Sequence, residues 1–414
     1  MTKLRKDNKG RVLRKGESQR SSDLMYIYTY TDPLTKKRRY IYATDLTKLR
    51  EKEKKLSKAQ LDGLDIYVAG HADLNYAFDR YISTKTDLRS TTYSNYVYMY
   101  DHFVRKGFGQ TKLGDIKYST ILQFYRYLLD QKGIQINTLE IIQTILRPTL
   151  QMAVRDDIIR NNPCDGVMAE IKKTSNKKSS IRHALSVEQQ RAFMRYVASS
   201  PIFGHWTPLF TVLLGTGCRI GEIIGLRWED VDYEKRSINI NHSITYYPRR
   251  EDTYKCEFRV SLPKTRSGIR EIPMLDDVYK AFKEEERRQK EEGICNIMEV
   301  DGMSGFIFCN RFGMLHNPQA INRAIKRISE NYNAEEVVIA KREKRDPIII
   351  PHFSCHHLRH TFCTRYCENE TDVKNIRAVM GHANIQTTYE IYAEVTYKKV
   401  AGSMEELSKN MKIF

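Results

Sequence analysis

The amino-terminal region places apolar side chains at alternating positions, which is the period of a β-strand. Tyrosine and isoleucine alternate in residues 26–30 and again in residues 40–42. Between these two runs lies Asp32-Pro33-Leu34-Thr35, a segment typical of a turn. The pattern predicts a small β-rich module within roughly the first 45 residues.

A basic cluster lies beside the predicted turn and consists of Lys36, Lys37, Arg38 and Arg39. Such charge runs are often solvated hairpin tips, but a β-sheet with basic side chains also fits the major groove of DNA. Further arginine and lysine residues in the preceding leader favour the second interpretation. We therefore expect this module to contact DNA.

After this module the period changes from that of a strand to that of a helix. Leucines form a thin apolar stripe in the next segment, LTKLREKEKKLSKAQLDGL, which predicts a helical connector. Residues 66–169 contain several segments with apolar residues three and four apart, which predicts an all-α domain. Within it, Ser90 and Thr91, and later Asn137, are expected to cap two helices. Pro148 is expected to kink the last helix or to divide it.

The remaining chain begins with a bridge, residues 170–184, whose polar and strongly basic composition predicts a linker. From Leu185 onward, helix and strand patterns alternate, and Ser186 is expected to cap the first helix. The segment FRVSLPKTRSGIREIPM predicts a hairpin with Arg266-Ser267-Gly268 in its turn, and HSITYYPRREDTYKCE predicts a second hairpin. The later segment AKREKRDPIII is expected to be a basic loop.

These patterns together predict a multidomain α+β protein. We expect a β-sheet domain with its helical connector in residues 1–65 and an all-α domain in residues 66–169. The linker, residues 170–184, then leads to a mixed, mainly α domain with a small antiparallel sheet in residues 185–414.

The charge balance indicates an anionic partner. Sixty-nine lysines and arginines against 51 acidic residues leave a net charge of +18, so we expect binding that weakens steeply with salt. Nucleic acid is the first candidate, because the sequence contains neither a long apolar run nor a basic amphipathic helix with a tryptophan-rich face. We therefore expect neither a signal peptide nor a membrane anchor, and we expect a cytoplasmic location.

Eight cysteines are scattered along the chain without a Cys-x-x-Cys pair. In a chain of this size, such cysteines are typical of reduced, buried thiols rather than of disulfides. The spacing of His356, His360, Cys363 and Cys367 also allows a zinc site, but no second ligand pair accompanies them. We therefore expect neither a metal nor a cofactor.

Residues 354–392 carry four polar side chains suited to chemistry on phosphate. His356 and Arg359 are three residues apart and would share a helix face, where the guanidinium can bind two phosphate oxygens. His382 and Tyr392 follow. A phenol with a pKa near ~10 is a poor nucleophile at neutral pH, so it needs a proton acceptor and positive surroundings. The stretch contains both.

These residues resemble the carboxy-terminal boxes of the tyrosine recombinase (lambda-type integrase) family. The matching residues are His356-x-Leu358-Arg359, Met380-Gly381-His382 and Tyr392. The arginine box of the family is matched by TGCRIGE at residues 216–222, and its β-hairpin lysine by Lys264. Four boxes in the right order form a specific signal.

The resemblance extends to the rest of the chain. Residues 1–45 are similar to the arm-binding domain of the integrases of conjugative transposons, which implies a three-stranded sheet. Residues 66–169 are similar to the all-α core-binding domain of the family. The likeness thus covers almost the whole chain.

The family resemblance assigns a role to each matched residue. Arg219 and Arg359 would bind the phosphate, and Tyr392 would attack it to form a 3′-phosphotyrosine. His356 and His382 would donate hydrogen bonds, with His356 also accepting the phenol proton. The general acid would be Lys264, with Lys255 and Arg266 as alternatives. The arginine box would be supported by Glu222, and the alternative nucleophile is Tyr389.

The resemblance implies a site-specific recombinase that integrates and excises a mobile element. It implies double-stranded DNA with core and arm sites as partner, and a homotetramer on DNA. The tetramer would exchange carboxy-terminal tails through an apolar stripe at Val400, Met404, Leu407 and Met411. The alternative is that this stripe packs on its own domain. An excisionase and DNA-bending proteins are possible accessory factors. The alternatives are a type IB topoisomerase-like enzyme, which shares the chemistry, and a DNA-binding regulator with a silent site.

Overall fold

The computed structural model describes residues 5–31, 37–61, 66–174, 184–248, 256–263, 268–370, 372–381 and part of 386–395. The chain divides into two compact units, Met1–Ser179 and Ser180–Phe414. Within the described residues, no helix is both long and apolar enough to span a bilayer.

The first unit begins with a three-stranded antiparallel sheet in the order β1-β2-β3. Its strands are β1 (Glu17–Gln19), β2 (Tyr26–Thr31) and β3 (Arg38–Ala43). Helix α1 (Leu46–Leu61) covers one face, and the apolar core there consists of Leu13, Tyr26, Ala43, Leu46 and Leu49. The strand alternation and the leucine stripe thus meet in one small core, which confirms the predicted sheet.

Helices make up the rest of the first unit. They are α2 (Ile66–His71), α3 (Leu74–Ser83), α4 (Ser90–Tyr100), α5 (Tyr118–Asp130), α6 (Ile136–Arg155) and α7 (Val167–Thr174). Their apolar faces share one core, whose largest buried side chains include Phe78, Tyr100 and Tyr125.

The ends of these helices differ from the sequence-based expectations. Helix α4 already includes Ser90 and follows Arg89 without a side-chain cap, so the prediction that Ser90 or Thr91 caps it was wrong. Helix α6 begins one residue before Asn137 and also lacks a side-chain cap. Pro148 lies within that uninterrupted helix and does not divide it.

Helix α7 corrects the predicted start of the linker. Residues 170–174 are helical, and Ile171 is buried in the same core as Val167, one turn earlier. Their lysine-rich composition resembled a solvated bridge, but the two apolar residues four apart attach the segment to the helical core. The described structure ends at Thr174 and resumes at residue 184.

The second unit is mainly helical. Its helices are α8 (Val187–Ser199), α9 (Thr207–Thr216), α10 (Ile220–Gly225), α11 (Asp276–Glu292), α12 (Pro318–Glu343), α13 (Cys355–Asn369) and α14 (Val373–Met380). Ser186 and Gln189 form the predicted capping box at the start of α8. Helix α12 continues to Glu343, so the first part of the predicted basic loop is helical.

Among the residues of the second unit that the structure describes, five strands accompany these helices. They are β4 (Val231–Asp232), β5 (Ser237–Ile240), β6 (Ser243–Pro248), β7 (Cys256–Ser261) and β8 (Arg270–Pro273). Strands β6 and β7 form the expected projecting hairpin, whereas β8 pairs with β5 in the sheet β4-β5-β8. The prediction that β7 and β8 form one hairpin was therefore wrong, because each pairs with a different strand.

Candidate active site

The arginine box, residues 216–222, lies where helix α9 ends and α10 begins. Gly217 ends α9 in the left-handed conformation, with φ of 62°, and a Cβ at this position would approach Phe362 to 2.3 Å. Arg219 is the residue before α10, and the Glu222 carboxylate accepts a hydrogen bond from its backbone N at 2.8 Å. The TGCRIGE segment thus forms a sharp turn, and the position of Gly217 within it accepts only glycine.

Arg219 is anchored by hydrogen bonds from both terminal nitrogens of its guanidinium, and its side chain remains partly exposed. Its Nη1 donates to Glu222 at 2.8 Å, and its Nη2 donates to the carbonyl of Gly381 at 3.0 Å. The side chain is nevertheless 44% exposed. Glu222 thus contacts both the backbone and the side chain of Arg219, and its supporting role in the reaction stays a prediction.

Arg359, by contrast, is buried on helix α13. Its Nη1 donates to the carbonyl of Gly217 at 2.6 Å, and its Nη2 donates to the carbonyl of Met380 at 2.7 Å. These bonds use two of the five N–H donors of the guanidinium. Burial, assisted by the nearby charge of Arg219, lowers the pKa of Arg359 to about 10.

A third arginine, Arg270, lies in the same cluster and was not singled out from the sequence. Its Nη2 donates to Glu222 at 2.8 Å, and its Nε donates to the carbonyl of Val379 at 2.7 Å. The strand alternation contained a usable signal, because Arg270 and Ile272 occupy the inward positions of β8. An arginine at an inward position needs a buried partner.

The three arginines therefore bind three consecutive carbonyls at the end of helix α14. Val379, Met380 and Gly381 accept from Arg270, Arg359 and Arg219, respectively. Carbonyls at the end of a helix have no partner within the helix and carry partial negative charge, so guanidinium groups satisfy them well. The residues Arg219, Arg359 and Met380-Gly381, which come from three separate boxes of the sequence, thus meet at one helix end.

The two histidines at the start of α13 differ in surroundings. His356 is exposed, although it is only three residues from the buried Arg359. The Nδ1 of His357 accepts from the backbone N of Ser354 at 3.2 Å, which caps the helix. His357, which had no expected role, thus stabilises the helix that carries Arg359.

Tyr392 packs against side chains of both α13 and α14. Its half-buried ring packs on an apolar cluster made of Cys363, Cys367, Ile376, Met380 and Val395. Met380 belongs to this cluster and also supplies the carbonyl that Arg359 binds. The rival nucleophile Tyr389 is 48% exposed.

Several predicted residues fall outside the described part of the chain. They are Lys36, Lys264 with its rivals Lys255 and Arg266, His382, and the apolar stripe of the tail. The flanking residues Pro263 and Gly268 are described, and so are Gly381 before His382 and Gln386 after it. The roles of these residues stay predictions.

The cysteines carry no disulfide, since all eight are free. Cys363 and Cys367 are buried together, and their hydrogen bond, with burial, raises the pKa of the Cys363 thiol well above its usual range. Among the residues the structure describes, no group of three or more histidine, cysteine or acidic side chains is arranged to hold a metal ion.

The basic cluster of the amino-terminal sheet is divided between its two faces. Arg39 pairs with Tyr30 in register, on the face that carries Tyr26 and Tyr28 towards α1. Arg38 belongs to the opposite, open face. That face also carries Tyr40 and Tyr42, which are 54% and 43% exposed.

The family model described as "Phage integrase family" matches residues 183–399, which is more than half of the chain. The chain belongs to the phage integrase family. Two further models match: "DNA binding domain of tn916 integrase" over residues 1–60 and "Phage integrase SAM-like domain" over residues 73–182. The matches thus extend over most of this integrase-family chain.

Relatives of this integrase-family protein cover its whole length. The transposase from transposon Tn1545 of Streptococcus agalactiae is 29% identical, covering 99% of this chain and 98% of its own. The transposase from transposon Tn916 of Enterococcus faecalis is 28% identical with the same coverage. The protein is a site-specific tyrosine recombinase related to conjugative transposon integrases, which confirms the family, enzyme class and function expected from the sequence.

Solved structures show the same fold. The Tn1549 transposon integrase in complex with transposon right end DNA is 25% identical, with a TM-score of 0.67 over 81% of this chain and 99% of that chain. A lambda integrase dimer bound to a COC' core site is 16% identical with a TM-score of 0.53, over 92% of this chain and 95% of that chain. The second likeness supports the fold alone.

Proposed function

We propose that this recombinase integrates and excises its mobile element by breaking and rejoining DNA through an ester on Tyr392. The observation that carries this assignment is the convergence of Arg219 and Arg359 on neighbouring carbonyls at the end of α14. The Tyr392 ring packs on a cluster that includes a residue of that helix end, Met380. Two guanidinium groups at this helix end, with a tyrosine ring packed on the cluster that includes Met380, suit attack on a phosphodiester.

Cleavage would exchange one bond at phosphorus for another. The phenolic oxygen of Tyr392 forms a bond to phosphorus, and the bond from phosphorus to the 5′ oxygen breaks. The phenol proton passes to His356, which is exposed to solvent at the start of α13. The departing 5′ oxygen receives a proton from Lys264. A 5′ hydroxyl from a second strand then reverses these steps, so the energy of the phosphodiester is kept.

Positive charge would stabilise the transition state. Arg219, Arg270 and Arg359 against Glu222 leave a net charge of two within this cluster, which suits the negative charge that develops on the phosphate oxygens. His382, directly after Gly381, would add a hydrogen bond there. Arg219 is the most accessible of the three arginines and would bind a phosphate oxygen directly.

DNA would be bound at two kinds of site. The second unit would bind core sites at the cleavage point, and the open face of the amino-terminal sheet would bind arm sites. Support comes from the Tn1549 transposon integrase, whose solved structure is a complex with transposon right end DNA. The net charge of +18 and the exposed side chains of Arg38, Tyr40 and Tyr42 add to it.

The assembly would be a homotetramer on DNA, with each tail docked on a neighbouring protomer. The apolar stripe in the tail sequence supports this arrangement, because a short helix with one apolar face needs a surface to cover it. We further propose that an excisionase and DNA-bending proteins set the direction of the reaction, and that it takes place in the cytoplasm, where the element's DNA lies.

A suicide substrate tests the proposed chemistry. A nicked duplex with the joined ends of the element loses a short fragment after cleavage, so the covalent protein–DNA adduct accumulates. We expect Tyr392→Phe to abolish the adduct without changing DNA affinity, because only the nucleophilic oxygen is removed. The matched control is Tyr389→Phe, which should retain the adduct. An adduct formed by Tyr392→Phe would overturn the assignment.

A further inference from the structure

Arg270 links three separate segments of the second unit although it lies on none of the sequence boxes. Its guanidinium donates to both carboxylate oxygens of Glu222, at 2.8 and 3.2 Å, and to the carbonyl of Val379 at 2.7 Å. It also reaches the carbonyl of Gly268 at 3.4 Å. Gly268 comes directly after residues 264–267, which include Lys264 and lie outside the described part of the chain.

The fit around Arg270 is tight. Its side chain is 5% exposed. A Cβ at Gly381 would lie 2.9 Å from its Nη1, so the chain approaches it there as closely as only glycine permits. Gly381 is the residue whose carbonyl binds Arg219 and whose neighbour is His382. Displacing Arg270 would therefore move the Gly381 carbonyl that holds the Arg219 guanidinium.

Arg270 also keeps Glu222 ionised. Burial alone would raise the pKa of Glu222, but the hydrogen bonds and charge of Arg270, with those of Arg219, lower it to about 2. The other groups that face this carboxylate are the Arg359 guanidinium and the buried Cys218 thiol. An ionised Glu222 can hold the backbone N and the Nη1 of Arg219 together.

We propose that Arg270 is a positioning residue for the recombination reaction, acting through Glu222 on Arg219 and through Val379 on the segment that carries His382. The proposal rests on the proposed function, because that function assigns Arg219 and His382 to the scissile phosphate. Arg270 is not itself a phosphate ligand: it is 5% exposed, whereas Arg219 is 44% exposed. The guanidinium is needed because its Nη atoms bind Glu222 while its Nε binds Val379. The single ammonium group of a lysine cannot reach both partners in this geometry.

The first test measures adduct formation on the suicide substrate with Arg270→Ala. We expect the rate of adduct formation to fall by about 100-fold at unchanged DNA affinity, because misplaced ligands cost that much in an active site. Free guanidinium at low-millimolar concentration should restore part of the rate by occupying the vacated space, whereas sodium at equal ionic strength should not. Arg270→Lys should remain well below the wild-type rate.

The matched control is Arg288→Ala on helix α11. Arg288 is 18% exposed and pairs with Glu285 and Glu292, so its loss removes a comparable ion pair away from the site. We expect this variant to form adduct at the wild-type rate per folded molecule. Equal losses in both variants would identify a general effect on stability and contradict the proposal.

The second test uses pH. In Arg270→Gln, Glu222 loses the partner that most strongly lowers its pKa, while burial still raises that pKa. Glu222 should therefore gain a proton in the mildly acidic range and release Arg219. The rate of adduct formation should then fall below neutral pH more steeply than in the wild type. Adding Glu222→Gln should remove this extra dependence, because the titrating group is gone. A purely structural role for Arg270 would change the rate equally at every pH.

The outcomes separate the two proposals. If the wild type forms the Tyr392 adduct and Arg270→Ala forms it at the wild-type rate, the role of Arg270 is overturned and the proposed function stands. If the wild type forms no adduct on DNA that it binds, the proposed function fails and the role of Arg270 fails with it. A slow Arg270→Ala that free guanidinium does not restore, with the same pH profile as the wild type, also contradicts the positioning role.

Discussion

Arg219 and Arg359 donate hydrogen bonds to adjacent backbone carbonyls, those of Gly381 and Met380, although the two arginines are 140 residues apart in the sequence. These contacts link the two guanidinium groups through two consecutive peptide groups that meet at Gly381. The end of helix α14 therefore acts as the template on which the proposed phosphate ligands are arranged.

The arrangement predicts that Arg219→Lys impairs cleavage more than binding. A lysine keeps the charge but cannot contact Glu222, Gly381 and a phosphate oxygen at once, because it lacks the planar fork. We expect adduct formation to fall by about 100-fold or more. DNA affinity at the same salt concentration, measured by fluorescence anisotropy, should change by less than about threefold. A comparable loss in affinity would place Arg219 in general DNA binding instead.

The close contact at Gly217 predicts that Gly217→Ala lowers the free energy of unfolding more than a comparable glycine substitution does. Gly217→Ala places a Cβ 2.3 Å from Phe362 in a left-handed residue whose carbonyl binds Arg359. The control is Gly293→Ala, at a residue with the similar φ of 64° but with nothing within 4 Å. Urea unfolding should show a loss of about 1 kcal/mol for Gly293→Ala and a further loss of about 1–3 kcal/mol for Gly217→Ala. Equal losses would contradict the close contact.

Glu222 predicts a pH-dependent contribution to stability. Its pKa is about 2 in the folded state against 4.5 as the ordinary value, so the stabilisation is complete above pH 4.5 and is lost as the pH falls towards 2. Linkage gives about 3 kcal/mol for this difference. Glu222→Gln should therefore destabilise the protein by about that amount near neutral pH, and the gap to the wild type should narrow below pH 4.5.

The control for this measurement is Glu229→Gln. Glu229 pairs with Arg227, but its side chain is 69% exposed, and exposed pairs contribute less than about 1 kcal/mol. Its substitution should leave the unfolding free energy nearly unchanged at every pH. A gap between Glu222→Gln and the wild type that persists unchanged at acidic pH would show that packing, rather than charge, causes the loss.

The open face of the amino-terminal sheet predicts salt-dependent DNA contacts. Arg38→Ala should weaken binding to an arm-site duplex and lower the slope of log affinity against log salt by about one. Lys235→Ala removes the same charge from a lysine on the second unit that is 76% exposed and should leave the arm-site slope unchanged. Equal effects of the two substitutions would mean that net charge alone governs binding.

The parts of the fold that follow local patterns could be predicted from the sequence. Leu46 and Leu49 lie in the core beneath the first sheet, and Ser186 caps α8 as its sequence indicates. The partner strand of β8 could not be predicted. Its partner β5 lies some thirty residues upstream, and the choice between β5 and β7 depends on tertiary packing.

The site was predictable where the sequence forms boxes and not where distant residues meet. Arg219 and Arg359 stand in recognisable contexts, whereas Arg270 acquires its meaning from Glu222 and Val379, which are 48 and 109 residues away. Burial of an arginine cannot be deduced from local composition, since its partners are brought together only by the fold. The alternation in β8 was the one local hint.

The attachment point of DNA on the protein tests the account most directly. Trypsin cleavage after Arg377 and Lys398 gives one peptide that contains Tyr389, Tyr392 and Tyr397, and tandem mass spectrometry of the trapped adduct can locate the nucleotide within it. We expect the phosphate on Tyr392 in every trapped molecule. A phosphate on either of the other tyrosines, or on a residue outside this peptide, would contradict the account.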